Sequence, residues 1–184
     1  RRPHLFKRET GTGVPFSGGS YQPLSKPAVD REAPSSAVYM ELPRNGEWKL
    51  GLDRFLPDEG TMRVSIRAAR STEELPGDVV LRLGFSAHTS NNANFSNVIS
   101  QRDRVVKAPA SAPEFIHFDI QLADIQRNPF RKLETKFPRR DEFLHIRNVT
   151  AVEGLHVQFD HVEITAPFHE QWPPSGHRVI FFDS

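Results

Sequence analysis

The sequence predicts an all-β fold, a two-sheet antiparallel β-sandwich of jelly-roll type. Short segments alternate apolar with polar residues at a period of two, which is typical of strands that bury one face. Pro and Gly turn signals separate these segments at the spacing of antiparallel sandwiches. The chain shows no alternation of strands with long helices, so doubly wound and TIM-barrel folds are excluded.

Eight segments carry the strand pattern. In the first, Val38, Met40 and Leu42 share one face, and an Asn-Gly turn joins it to the second as a hairpin. The third alternates most cleanly, with apolar residues separated by Arg and Ser, and the fourth follows a Pro-Gly turn. The sixth repeats Phe, Ile and Leu at every second position, and the others contain the β-branched and aromatic residues that strands favour. The segments are residues 37–42, 47–52, 62–68, 79–85, 98–106, 115–122, 143–149 and 155–164.

The remaining residues are predicted to be loops, a leader and a tail. Residues 1–36 contain five Pro and four Gly without a periodic pattern, so we expect an extended leader or linker. The β-sandwich then occupies residues 37–168, and residues 169–184 form a tail that packs on the module or on the next domain. Residues 122–125 suit one helical turn, because nearby prolines prevent a longer helix. The start at Arg rather than Met suggests a piece of a longer chain.

Composition excludes several classes of function. The 24 Lys and Arg nearly balance the 23 Asp and Glu, so the net charge of +1 gives no overall attraction for nucleic acid or an anionic membrane. Basic residues are interleaved with acidic ones, which argues against a nucleic-acid groove. The chain has no cysteine, so it cannot attach haem through a CxxCH motif or form a thiolate metal site. No apolar run reaches the roughly 18 residues that span a bilayer.

The sequence offers no catalytic motif, and we predict that this chain is not an enzyme. It lacks GxSxG, HExxH and P-loop patterns, and its acidic residues are scattered. Among the strand histidines only His156 and His161 are close in sequence. Five residues apart in a regular strand, they point to opposite faces and could share a metal ion only across a bulge. Solvent-facing histidines are the preferred interpretation.

The polar segment of residues 89–97 is the first candidate ligand site. Asn side chains both donate and accept hydrogen bonds, which suits sugar hydroxyl groups, and an aromatic ring adds an apolar platform. Asn91, Asn92, Asn94 and Phe95 are therefore predicted ligand-binding residues. The alternative is an ordinary loop, because Asn and Ser are common loop formers.

Two stretches resemble the jelly-roll carbohydrate-binding modules that often hold calcium. The text GEWKL at residues 46–50, followed by PDEGTMRVSIRAA at residues 57–69, is similar to their opening pattern. The text LHVQFDHVEI at residues 155–164 is similar to their closing strand. This resemblance implies a calcium ion held between the first and last strands, with Glu41 and Asp160 as its carboxylate ligands and Glu163 as an alternative.

The C-terminal part resembles, more specifically, a module of large planctomycete-type cytochrome c proteins. The similar segments are FLHIRN at residues 143–148, FDHVEITAP at residues 159–167 and WPPSGHRVIF at residues 172–181, and the resemblance extends over roughly residues 38–182. In that family the module is sometimes described as xylan-binding-like. The resemblance implies an extracytoplasmic location, periplasmic or at the cell surface, in a multidomain parent whose haem domain lies elsewhere.

Together these observations predict a non-catalytic, carbohydrate-binding-like module within a larger exported cytochrome c-type protein. Its partners would be a polysaccharide and the neighbouring domains. Trp48, Tyr39 and Phe95 are the aromatic candidates for a sugar platform, although the alternation around Trp48 suits a core position equally well. The alternative is an interdomain structural module without a sugar ligand, in which Trp172 packs the tail onto the sandwich or a neighbour. Exposed rings in a groove would favour sugar binding, whereas one exposed apolar patch would favour docking.

Overall fold

The computed structural model describes residues 4–14, 37–52, 56–89, 94–135 and 137–169, and these form two packed antiparallel sheets. A 3₁₀ turn, Leu122–Asp124, is the only helical element in these ranges. No helix within them is long and apolar enough to cross a membrane. The strands are β1 (His4–Lys7), β2 (Gly13–Val14), β3 (Val38–Leu42), β4 (Glu47–Gly51), β5 (Thr61–Arg70), β6 (Val79–His88), β7 (Asn94–Val98), β8 (Arg104–Val106), β9 (Glu114–Gln121), β10 (Glu142–Asn148) and β11 (Val157–Thr165).

The strand order is that of a jelly roll. The first sheet runs β2-β1-β3-β11-β5-β9, and the second runs β4-β10-β6-β7, with β8 also paired to β6. β7 and β8 follow each other along one edge of β6, so they act as one interrupted edge strand. From β3 onward the chain crosses between the sheets at every step except from β6 to β8, which stay in the second sheet, and the last strand, β11, lies beside β3. The prediction of an all-β sandwich of jelly-roll type is confirmed.

The core lies between the inner faces of the two sheets. Alternation along β5 buries Met62, Val64, Ile66 and Ala68 completely, while the residues between them face outward and are half-buried. β6 supplies the opposite wall. Since each fully buried large apolar side chain contributes roughly 1.5–3 kcal/mol, this layer provides the main stabilisation of the fold.

Strand β10 lies centrally in the second sheet and begins with a buried ion pair. Glu142 faces inward and is only 1% exposed. Its two carboxylate oxygens accept hydrogen bonds from Arg127, Nε to Oε1 at 2.9 Å and Nη2 to Oε2 at 2.7 Å. Arg127 also donates to the main-chain oxygens of Leu56 and Pro57. Arg127 therefore joins the connection that follows β9 both to the start of β10 and to the loop before β5.

The other end of β10 is closed by a buried amide. Asn148 is completely buried, and its Nδ2 donates to the Leu42 carbonyl at 2.8 Å. Its Oδ1 accepts from the Thr150 amide at 3.0 Å. The inward polar groups at both ends of β10 thus have partners, which avoids the cost of unsatisfied buried groups.

Three segments differ from the sequence-based expectation. The strand predicted over residues 98–106 is interrupted, since β7 ends at Val98 and β8 begins at Arg104. Residues 94–97 belong to strand β7 rather than to a loop. This prediction was wrong because an edge strand with one solvated face tolerates polar residues at its outward positions. In the predicted leader, β1 and β2 form a hairpin on the edge of the first sheet, and Leu5 lies opposite Met40 of β3. Residues 15–36 of that leader and residues 170–184 of the predicted tail, including Trp172, lie outside the described residues.

Removal of the buried carboxylate should destabilise the fold strongly. The Glu142→Ala substitution leaves Arg127, whose side chain is 8% exposed, without its counter-charge. We expect a loss of about 3–5 kcal/mol in the free energy of unfolding, measured by urea denaturation. The control is Asp103→Ala, which breaks a half-exposed pair with Arg82 and should cost much less. Equal losses for the two variants would contradict a structural role for the buried pair.

Candidate functional site on the outer face of the second sheet

The outward side chains of β4, β10, β6 and β7 form a continuous polar surface, called the polar face below. The register places Glu47 opposite Arg147 and Lys49 opposite His145. Because strand residues alternate between faces, the inward Leu144 and Ile146 require their neighbours in β10 to point outward. The members of the polar face are Glu47, Lys49, Arg82, Ser86, His88, Asn94, Ser96, Val98, Phe143, His145 and Arg147.

A chain of hydrogen bonds crosses the polar face through His145. His145 Nδ1 lies 2.6 Å from Glu47 Oε1, and His145 Nε2 lies 2.7 Å from Ser86 Oγ. A carboxylate only accepts, so Nδ1 carries the proton, and Nε2 of the neutral ring accepts from the serine hydroxyl. The other oxygen of Glu47 accepts from Arg147 Nε. Glu47 is therefore fixed by two donors that β10 supplies.

Burial and charge determine the protonation states of His145 and Glu47 in this hydrogen-bonded group. Burial lowers the pKa of His145, and the adjacent Glu47 carboxylate only partly opposes this effect. Burial by itself would raise the pKa of Glu47, but hydrogen bonds and charge from His145 and Arg147 outweigh it and leave that pKa below its usual value. Near neutral pH the site therefore contains a neutral imidazole and an ionised carboxylate.

The order of these groups is that of a catalytic Ser-His-acid triad, but Ser86 lacks the surroundings of a nucleophile. Ser86 is only 4% exposed. At this point β6 is paired on both edges, to β10 and to β7, so its amides are committed to the sheet and cannot stabilise an oxyanion. The serine instead fixes the orientation of His145.

Two planar groups lie over glycine positions of the sheet. A methyl group on Gly51 would be 3.8 Å from Cε1 of Phe143, and one on Gly84 would be 3.6 Å from Cζ of Arg147. The Phe143 ring and the Arg147 guanidinium therefore lie over positions without side chains. Arg147 Nη2 also reaches Ser96 Oγ of β7 at 3.4 Å. From β10, Phe143 thus contacts β4, and Arg147 contacts β6 and β7.

Lys49 and His88 complete the surface around Phe143. Lys49 Nζ is 3.9 Å from the centre of the Phe143 ring, and the His88 ring lies 4.9 Å away on a tilted plane. Lys49 Nζ is also 3.3 Å from His88 Nε2. Burial, followed by the charges of Lys49 and Arg139, lowers the pKa of His88. His88 is therefore neutral near pH 7 and accepts a hydrogen bond from the lysine.

The structure distributes the predicted ligand-binding residues over different surfaces. Asn94 lies exposed at the rim of the polar face, opposite His88. Phe95 and Trp48 point inward and pack against the core, with the Trp48 ring 5.7 Å from that of Phe159. Tyr39 lies on the other sheet. Asn91 and Asn92 lie outside the described residues.

Tyr39 belongs to a small aromatic group on the outer face of the first sheet. Its ring stacks on Phe6 of β1, with centroids 5.6 Å apart. The Arg8 guanidinium lies 5.5 Å from the centre of the Tyr39 ring. Tyr39 is therefore half-buried between the N-terminal hairpin and a cation rather than presented as an isolated platform.

The two predicted metal ligands lie on neighbouring strands of the first sheet, and each is engaged by protein groups. Glu41 interacts with His156 Nδ1 at 2.7 Å and accepts from Gln158 Nε2 at 3.1 Å. Asp160 accepts from Arg67 at 2.7 Å and from Arg8 at 2.6 Å, one arginine on each oxygen. The positive charges around Asp160 do not fit a calcium ion in this arrangement. Within the described part of the chain, no group of three His, Asp or Glu residues could hold a metal.

A bulge in β11 changes the expected directions of its histidines. The register shifts between Phe159 and His161, and His161 lies opposite Arg67 on the outer face. His156 is also on this side, bonded to Glu41. A regular strand would place the two histidines on opposite faces, and the bulge places both on the outer face. The ring of His161 packs edge-on against Phe115 at 5.7 Å, and its Nε2 lies 3.6 Å from Glu163.

The central residues of the polar face were not identified from the sequence. Glu47 and His145 are separated by 98 positions, and only the pairing of β4 with β10 joins them. The available signal was the alternation in FLHIRN, where three non-aliphatic side chains occupy one face of a buried strand. Such an arrangement in a central strand indicates that its outer face is polar.

Comparisons with known proteins give structural likenesses only. No protein-family model matches the sequence, and no curated protein matches it. One similar structure is the CBM22-1 xylan-binding domain of Xyn10C from Paenibacillus barcinonensis, with a TM-score of 0.44, 9% identity, and coverage of 74% of this chain and 76% of that one. A family 16 carbohydrate-binding module gives a TM-score of 0.39 at 10% identity, covering 71% and 78% of the two chains.

A third similar structure comprises the CBM22-1 and GH10 modules of endo-1,4-beta-D-xylanase 10B from Clostridium thermocellum, complexed with xylohexaose. Its TM-score is 0.43 at 14% identity, and the match covers 74% of this chain but 23% of that chain. These scores and identities are low. The fold assignment therefore rests on the strand order of this chain itself.

Three histidines that are partly or fully removed from solvent should make the fold sensitive to acid. Burial is the main cause that lowers the pKa of His88, His117 and His145 in the folded state. The unfolded chain therefore takes up protons near its ordinary histidine pKa of about 6.5, before the folded chain does. The stability that these residues contribute is present above that pH and is lost as pH falls through the lower folded values.

We expect urea denaturation to show a smaller free energy of unfolding at about pH 5 than at about pH 7.5. The His145→Gln variant lacks one of the titrating rings and should show a shallower pH dependence over the same range. A free energy of unfolding that stays constant or rises on acidification would contradict the assignment.

Proposed function

We propose that this chain is a non-catalytic carbohydrate-binding module whose glycan lies across the polar face. The observation that supports this most is the pair of planar groups, Phe143 and Arg147, that lie over Gly51 and Gly84. A pyranose ring offers flat apolar C–H faces and a rim of hydroxyl groups. Planar side chains beside fixed donors and acceptors match that combination.

The donors and acceptors of the face are held in place before a ligand arrives. Glu47 and Arg147 are bonded to each other, and their side chains remain 36% and 32% exposed. Asn94 and Ser96 add exposed polar side chains on β7. Because sheets hold these residues rigidly, binding loses little side-chain entropy, which favours affinity.

The wider setting of the module is proposed from the sequence resemblance. Residues 143–148 and 159–167 carry text similar to the planctomycete-type cytochrome c proteins. We infer a module within a larger, exported protein of that type, located in the periplasm or at the cell surface, with any haem in other domains. A neighbouring-domain partner and a polysaccharide ligand are both compatible with this setting.

A docking module is the second candidate function. Val98 and Val105 lie outward along the β7 and β8 edge and are 51% and 43% exposed. Exposed apolar groups on one edge favour contact with another protein surface. In this case the polar face would contact a domain and would bind no sugar.

The proposal can be tested by affinity electrophoresis of the isolated chain in gels that contain xylan, mannan, cellulose derivatives, pectin or β-glucan. We expect retardation by at least one polysaccharide. The Phe143→Ala variant should weaken this binding by about tenfold, since a ring contact contributes on the order of 1–1.5 kcal/mol.

The matched control is Phe115→Ala, which removes a ring from the outer face of the first sheet and should leave binding unchanged. Thermal melts of both variants report whether each is folded. Absence of retardation by every polysaccharide would overturn the proposed function in favour of docking. Equal losses in both variants would place the ligand elsewhere.

A further inference from the structure

We propose that the polar face selects an acidic glycan, whose uronic carboxylate binds Lys49. This inference rests on the proposed function and names the class of sugar. It follows from the way in which charges are paired on this face.

All but one of the basic side chains around the polar face have a carboxylate partner. Arg147 is paired with Glu47. Arg82 donates to both oxygens of Asp103, at 2.8 Å each. Arg139, near His88, pairs with Asp141 at 2.6 Å. Three cations are thus neutralised by three carboxylates in the described part of this surface.

Lys49 is different from these arginines. Its ammonium contacts the Phe143 ring and the His88 ring nitrogen, and no carboxylate among the described residues pairs with it. His88 carries no positive charge near neutral pH, because burial holds its pKa below the ordinary value. The polar face therefore has one exposed positive charge in excess, fixed against an aromatic ring.

The ammonium of Lys49 is the cation that this face offers to an anion. Lys49 Nζ lies beside Phe143 and His88, whereas Arg147 lies over Gly84, reaches Ser96 and is paired with Glu47. One unpaired positive charge requires one negative charge from the ligand, and the carboxylate of a single uronic acid supplies it.

The test compares polymers that differ only in charge. Affinity electrophoresis is run in glucuronoxylan and in the same polymer after reduction of its carboxyl groups to alcohols. It is repeated with polygalacturonate and its methyl-esterified form. We expect the native chain to bind each charged polymer at least fivefold more tightly than its neutral counterpart.

The Lys49→Met substitution keeps an apolar stem on Phe143 and removes the charge. It should abolish the preference for the charged polymer, so that the variant binds the charged and neutral forms equally. The control Lys7→Met makes the same charge change on exposed β1 of the first sheet and should retain the preference. Thermal melts verify that both variants are folded.

Each outcome separates the inference from the proposed function. Equal binding to charged and neutral polymers, or a preference that survives Lys49→Met, overturns the inference and leaves the proposed function standing. Tighter binding to carrageenan, which carries sulfate esters without carboxylates, overturns the carboxylate assignment. If no polysaccharide binds, the proposed function fails and the inference fails with it.

Discussion

The alternation of β10 between β4 and β6 constrains both the core and the polar face. Its even-numbered residues face inward, and the odd-numbered Phe143, His145 and Arg147 face outward. A shift of one residue would bury the arginine and expose Leu144 and Ile146, which is energetically prohibitive. The register is also fixed chemically at both ends, by the ion pair of Glu142 and by the amide of Asn148.

The same constraint explains how the polar face stays ordered. Burial of His145 disfavours its charged form, and the hydrogen bonds to Glu47 and Ser86 satisfy both ring nitrogens. Glu47 in turn orients Arg147, whose guanidinium lies over Gly84. Each group is thus held by another group of the face, and little ordering is left for a ligand to bring about.

The two outer faces of the sandwich use charge differently. On the first sheet, Asp160 is neutralised by Arg67 and Arg8, and Arg63 forms a two-point pair with Asp119 at 2.6 Å. On the second sheet, the pairing leaves Lys49 in excess beside an aromatic ring. Carboxylates surrounded by arginines suit structural cross-links between strands, whereas an exposed cation on a flat polar surface suits an anionic ligand.

The sequence by itself determined most strands of the sandwich but not the N-terminal hairpin of β1 and β2, because alternation at a period of two depends only on which side of each strand is buried. It failed at β7, where the polar outward positions of an edge strand resemble a loop, and it could not assign Trp48 to the core, since alternation does not say which face is inside. Only the tertiary structure decided the polar face. The pairing of β4 with β10 brings together residues about 100 positions apart, and the bulge in β11 turns His161 outward. Strand pairing and bulges depend on contacts distant in sequence, which local patterns do not encode.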